Sequence, residues 1–256
     1  MPVNTIVLFV VALLCLFSGA CIGWVLRRRL PEHHLAREST DVIKLAAGLM
    51  ATLVAMILGL LVSSANTFHG QIETQYKQGL ANVVQLDQYL RAIGPESQGI
   101  RDQMRRTVVH YLRQHWPRDD FGAADTEVDA GADPAIDLED RILELNLTTP
   151  RQKWFQAQAL QQANELARLR QLMSNDESGR SLPIPIVVVL LAVAATIFAM
   201  FSLFVQPNPT VVFALALAAL AVSGALFLIE ELNTPFGGLL QLPSGPAHAV
   251  LATVGR

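Results

Sequence analysis

Histidines and a run of carboxylates are the side chains of this sequence with the chemistry to hold a metal ion or move protons. His33 and His34 are adjacent and leave a helix on different faces, and His110 and His115 are five apart where four would align them. The richest acidic candidate is Asp125, Glu127 and Asp129, which alternate as the first three ligands of an EF-hand loop do. The match then ends. The sixth position is Ala130 with Gly131 one residue late, and the twelfth is Ile136 where a bidentate acid is required. The stretch DDFGAADTEVDAGADPAIDLED, residues 119–140, holds nine acids and no base, so it reads as a solvated acidic loop. No Gly-rich phosphate loop, nucleophile elbow or thiol relay is present. Cys15 and Cys21, six apart in one apolar run, make no disulfide framework. Asn146-Leu147-Thr148 has the glycosylation pattern but sits in what reads as a helical run. No catalytic residue, metal or cofactor is expected, and the chain does not read as an enzyme; nor is a nucleic-acid partner expected.

The elements that carry these residues are set by hydropathy. The 256 residues are 52% hydrophobic and 16% charged, with a mean hydropathy of +0.36. That is too apolar for an ordinary soluble domain. Four stretches carry no charge: Ile6 to Leu26, Leu45 to Ala65, Ile184 to Val205 and Val211 to Ile229. Each approaches the roughly 20 residues a helix needs to cross a hydrocarbon core. The first lacks a basic leader and carries its arginines after the run, which is not the anatomy of a signal peptide. An all-α fold follows: four transmembrane helices in two hairpins, with an extramembrane helical bundle inserted between spans two and three. The expected domains are a first hairpin at 1–65, a helical region at 66–182, a second hairpin at 183–229 and a tail at 230–256. QPNPT, with two prolines, makes the second reversal.

Within 66–182, Phe68, Ile72, Tyr76, Leu80, Val83, Leu86 and Leu90 step by three or four, and GPES then turns the chain. Ile100, Met104, Val108, Tyr111 and Leu112 make a second stripe. A third helix starts with Thr149 as N-cap and Pro150 at its first position, and Trp154, Leu160, Leu166, Leu169 and Met173 are its expected buried side. A bundle of three is a thin core, which favours association of copies. Residues 66–118 hold seven Lys or Arg against four acids. Lys77, Arg101, Arg105 and Arg106 either line an aqueous cavity or form a solvated outer face.

The second span has its own pattern. Ala47, Ala51, Ala55, Gly59 and Ser63 recur every fourth residue as a ridge along which another helix can approach closely. Beside it run Thr52, Met56, Leu60 and Ser64. A ridge of this kind serves ordinary packing in many membrane bundles; it also suits a helix that packs on symmetry mates and turns its next face to a central axis.

ILGLLVSS in this span is similar to the pore-helix motif of bestrophin anion channels. IEELNTPFGGLLQLP, after the fourth span, resembles their second hallmark, an acidic pair followed by Pro-Phe-Gly and Leu-Pro. LVSSANTFHGQIETQYKQGLANVVQLDQYLRAIGPES is also similar to a group of bacterial four-span proteins described as bestrophin-like. The resemblance runs from about residue 41 onward, weakly in 119–180, and implies a homo-oligomer, a pentamer, in the cell inner membrane, with lipid, copies of itself and small anions as partners. It places a pore neck at Thr52, Met56 and Leu60 and a pore exit at Ser63, Ser64 and Asn66. Its second motif falls on Glu230, Glu231, Pro235, Phe236 and Gly237. A hydroxyl at Thr52 would make one ring wetter, and the sequence after Pro-Phe-Gly lacks the acids of the calcium clasp in animal bestrophins. For Glu230 and Glu231 the open choices are a helix end in water or a basic partner within 66–118. The resemblance also implies that the second span runs on past Ser64 as helix.

Two rules disagree on orientation. Arg27, Arg28, Arg29, Arg37 and Lys44 put the first loop in the cytoplasm and residues 66–182 outside; the resemblance implies the reverse. The competing function is a non-conducting membrane scaffold whose helical domain binds a partner.

Overall fold

A computed structural model of the chain describes residues 2–29, 37–121, 134–179 and 184–254. The described residues are helical throughout their regular structure and contain no strand. In chain order the helices are α1 (Pro2–Arg29), α2 (Arg37–Ile93), α3 (Gln98–His115), α4 (Pro134–Leu143), α5 (Pro150–Gly179), α6 (Ile184–Phe204), α7 (Pro209–Leu232) and α8 (Gly245–Leu251). They fall into two compact units, residues 1–69 with 180–240 and residues 70–179 with 241–256. α2 contributes to both as one unbroken helix of 57 residues.

The first unit contains four helices long and apolar enough to cross a membrane. Helices are the solution there because lipid offers no partner to backbone N–H and C=O groups, and a helix satisfies them internally. What then sets the packing is how closely backbones can approach. A methyl at Gly19 would overlap the carbonyl of Ala195, and one at Gly23 the carbonyl of Ala199 and, at 2.9 Å, Cβ of Ser202. The contacts advance together along both helices, from Gly19 on Ala195 to Gly23 on Ala199, so α1 and α6 lie against each other in parallel. α7 runs the other way, with Phe227 near its end edge-on to Phe9 near the start of α1, centroids 6.1 Å apart. The reversal between α6 and α7 is fixed by Asn208, whose Oδ1 accepts from Val211 N at 2.8 Å, ahead of Pro209.

All seven apolar residues of the 68–90 register are buried, Phe68 in the first unit and Ile72, Tyr76, Leu80, Val83, Leu86 and Leu90 in the second. The turn after α2 uses Gly94 at φ 120, which a residue with a Cβ adopts rarely. Ser97 Oγ closes it by donating to the carbonyls of Leu90 and Gly94, at 2.6 and 2.8 Å. α5 opens with a capping box: Thr149 Oγ1 accepts from Gln152 N at 3.2 Å, and Gln152 Oε1 accepts from Thr149 N at 3.3 Å. Two glutamines of α5 also donate to the last carbonyls of other helices, Gln152 to Ile93 and Gln156 to Ile142.

Three expectations change. Trp154 is 57% exposed, whereas Leu169 and Met173 of the expected side are buried and Leu160 and Leu166 pack against the core; Ala159 and Ala163 join that side, with Phe155 in the place expected for Trp154. The small pair lets α5 sit close to its neighbours, and Trp154, one residue and about 100° away from Phe155, turns outward. Residues 134–140 of the acidic stretch belong to α4, started by Pro134 at its first position; Asp125, Glu127, Asp129 and Ala130 lie outside the described residues. Asn146 to Thr148 form an irregular connection between α4 and α5.

The α1–α6 contact gives a direct test. Gly23→Leu is expected to lower the stability of the purified protein in detergent by about 1–3 kcal/mol, the usual range for overpacking. Gly99→Ala, where a methyl meets nothing within 4 Å, is expected to be neutral or stabilising by up to about 1 kcal/mol. Thermal unfolding of the two variants measures both.

Candidate functional site

The candidate neck lies on the part of α2 that belongs to the first unit. Ala47, Val54, Leu58 and Ala65 are buried on one side of this helix, spaced by seven, four and seven residues as a helical face requires. Thr52, Met56 and Leu60 sit on the other side. Met56 and Leu60 are each 62% exposed, and Thr52 is exposed as well. Its hydroxyl donates to the Gly48 carbonyl at 3.0 Å, a bond one turn back along the same helix. Ser63, Ser64 and Asn66 are exposed past the neck, and the Ser63 carbonyl accepts from Thr67 Oγ1 at 2.9 Å.

The ridge of small residues behaves as its geometry demands. A row spaced by four advances about 40° per step around the helix, so it cannot stay on one face. Ala47 is buried and Ala51 half-buried, whereas Ala55 and Gly59 are exposed. A methyl built at Gly59 would meet nothing within 4 Å. The upper half of the ridge therefore serves packing inside the chain and the lower half does not.

The second motif folds around one carboxylate. Glu231, at the end of α7, is 1% exposed. Its Oε1 accepts from the backbone N–H of Leu239 and from that of Leu240, the latter at 3.0 Å. Gly238 has φ 77, and a methyl there would overlap that carboxylate. Asn233 N and Thr234 N cap the helix by donating to the carbonyls of Glu230 and Glu231, at 3.2 Å each. Thr234 N–H and Gly237 N–H continue the turn, the latter donating to the Thr234 carbonyl at 3.0 Å. Pro235 is buried, and Phe236, Gly237 and Glu230 are half-buried. Glu231 thus takes backbone donors of its own loop, in place of either water or a basic partner, because Gly238 lets the chain fold back onto it.

The basic residues of the second unit are also disposed differently from either expectation for them. Arg101 forms a two-pronged ion pair with Asp87, Nε to Oδ1 at 2.8 Å and Nη2 to Oδ2 at 3.2 Å, both side chains 6% exposed. Nη1 of Arg101 also donates to Gln98 Oε1 at 3.1 Å. It ties α3 to α2 and is neither a solvated face nor a cavity lining. Lys77 is exposed and paired with Glu73 at 2.6 Å; Arg105 is exposed and Arg106 half-buried.

The sequence after the motif returns to the second unit. Trp116 packs at a tilt against Tyr76, centroids 5.2 Å apart, and its Nε1–H donates to the Leu242 carbonyl at 2.9 Å. Leu242, Ala247 and Val254 are buried there.

A model of the Bestrophin-like domain matches residues 14–247, and the chain belongs to the Bestrophin-like family. Three crystal structures share its fold. A mutant bacterial bestrophin homolog from Klebsiella pneumoniae matches with a TM-score of 0.63 at 16% identity, over 99% of this chain and 98% of that one. A Klebsiella pneumoniae bestrophin homolog solved by Zn-SAD phasing matches at 0.60 and 15%, over 98% and 96%. A crystallised membrane protein variant matches at 0.59 and 15%, over 99% and 96%. No curated protein matches the sequence significantly.

Two substitutions probe these networks. Arg101→Met strands the Asp87 carboxylate in a buried site and is expected to cost about 3–5 kcal/mol, with Asp87→Leu added on top recovering part of the loss. Chemical denaturation of the three proteins measures it. Glu231→Ala removes the acceptor from two backbone donors and is expected to cost about 1–3 kcal/mol, and to speed proteolysis within residues 234–241. Unchanged cleavage there would mean that the loop holds its shape without the carboxylate.

Proposed function

We propose that copies of this chain assemble in the inner membrane into a channel that passes small anions along a pore lined by α2. Thr52, Met56 and Leu60 form its neck, and Ser63, Ser64 and Asn66 its exit. The observation that carries this reading is the pair Met56 and Leu60, each 62% exposed on the side of α2 turned away from its buried face. Family membership supports it, and by resemblance the number of subunits is five.

The chemistry follows from three rings in series, of which Met56 and Leu60 are apolar and Thr52 carries a hydroxyl. An apolar constriction holds water poorly, so it closes by dewetting and opens with a small widening, while selectivity is set by polar groups beside it. Thr52 fits such a neck better than its residue type implies, because its proton is committed to the Gly48 carbonyl. At the exit the hydroxyls of Ser63 and Ser64 and the amide of Asn66 offer donors to an anion that has shed part of its hydration. Ala55 and Gly59 leave room beside the neck for a neighbouring copy of the helix. Arg101 has no part in drawing anions inward, since Asp87 neutralises it.

A non-conducting scaffold explains the exposed small residues as packing alone, and oligomer size separates the two: a pentamer in mild detergent agrees with the channel, a monomer or dimer with the scaffold. The functional test is anion flux from liposomes. Wild-type protein is expected to conduct, and Met56→Ala with Leu60→Ala to conduct several-fold faster, because a wider neck wets more readily. Absence of flux from both proteins would remove the proposal.

A further inference from the structure

The last residues of the chain complete the second unit. Leu242, Ala247, Leu251 and Val254 are buried, Val254 joins the core built on Val83, Leu86 and Met104, and α8 packs on α3. One side chain of α8 stays partly in water: that of His248 is 46% exposed. Its ring lies nearly flat on Phe121, centroids 4.6 Å apart and planes 18° from parallel, and Phe121 is itself buried. Its Nε2 stands 3.9 Å from Oδ2 of Asp119.

Both neighbours favour the charged ring over the neutral one. The face of a phenyl ring carries negative partial charge and attracts a cation within about 6 Å, and a carboxylate attracts the same cation directly. Imidazole is the side chain whose charge ordinarily changes between about pH 5 and 8. The other charged or titratable groups on the elements around α8 do not change sign with it there. Arg118 and Asp120 flank Asp119 and are exposed, as is Arg113 at the end of α3. His115 of α3 has its Nδ1 2.8 Å from the Tyr111 carbonyl and its ring on Tyr111, centroids 4.1 Å apart. Tyr76 of α2 approaches the backbone of Ala247, and a phenol is neutral over this range. α8 itself holds no second titratable side chain.

We infer that His248 is a pH-operated latch: as an imidazolium it fastens α8 to the start of the acidic stretch 119–140, and as a neutral ring it lets α8 loosen. The sign follows from the pairing. Docking favours the protonated ring, so the latch tightens as pH falls, down to the range where carboxylates themselves take up protons, and it loosens as pH rises. Water reaches both partners, which limits the effect to roughly three- to tenfold in the docking equilibrium. The latch lies wholly in the second unit and stands whether or not the protein conducts.

Hydrogen exchange of the purified full-length protein tests it, read by mass spectrometry as protection factors for peptides within residues 245–254 at about pH 6 and about pH 8, each corrected for the intrinsic exchange rate. Wild type is expected to protect α8 roughly three- to tenfold better at the lower pH. His248→Gln, which cannot gain charge, is expected to show equal and weaker protection at both. His248→Arg keeps a planar cation at either pH and is expected to protect α8 at both as wild type does at the lower one. Asp119→Asn keeps the stack on Phe121 and is expected to retain a smaller pH dependence. A pH dependence as large in His248→Gln as in wild type would overturn the inference, by assigning the proton to another group, and so would its absence from wild type.

Discussion

Within the hydrocarbon core a helix satisfies its own backbone, but nothing obliges its side chains to find partners in the same chain. α2 depends on that freedom. Between residues 45 and 60 it buries Ala47, Val54 and Leu58 against its own unit and leaves Leu45, Leu49, Leu53, Met56 and Leu60 half or more exposed. Water does not tolerate so continuous an apolar surface, and lipid or further copies of the chain must cover it. The functional reading starts from this surplus. A helix that used all its apolar residues for internal packing would have none to place at an axis.

The other networks hold the ends of helices. Glu231 gathers two backbone N–H groups where α7 stops, and it does so within reach of Gly238, whose φ of 77 makes the return of the chain possible. Asp87 and Arg101 do the corresponding work in the second unit, where a buried ion pair with an additional bond from Gln98 joins α2 to α3. A pair of this kind adds little net stability over apolar residues of the same volume, but losing one partner is costly. Its effect is to fix which face of α3 meets α2. Ser97, Gln152 and Gln156 extend the same principle to carbonyls that the helices leave open.

Much of this was legible in residue spacing. Four uncharged runs marked the four membrane-length helices, and the register from Phe68 to Leu90 marked a helical face whose members are all buried. Thr149 was readable as an N-cap ahead of Pro150, since capping is local. What was not legible depends on distant contacts. Trp154 continues the period as well as Phe155 does, and only the close approach allowed by Ala159 and Ala163 decides between them. Asp87 and Arg101 are fourteen residues apart, and no local rule pairs them. Gly19 and Gly23 did carry a readable signal, two small residues four apart, but it was overshadowed by the longer ridge in α2. Glu231 was readable as part of a motif, whereas its partners, backbone groups of the following loop, leave no trace in side-chain types.

The central claim is that Met56 faces water shared between copies of the chain, and thiol accessibility tests it most directly. In a background free of Cys15 and Cys21, Met56→Cys and Phe213→Cys place a thiol at two positions that a single chain exposes comparably, 62% and 70%. In membranes, a negatively charged, water-soluble thiol reagent is predicted to modify residue 56 much faster than residue 213 and to block flux as it does so. Equally slow reaction at both would place Met56 in lipid and contradict the account.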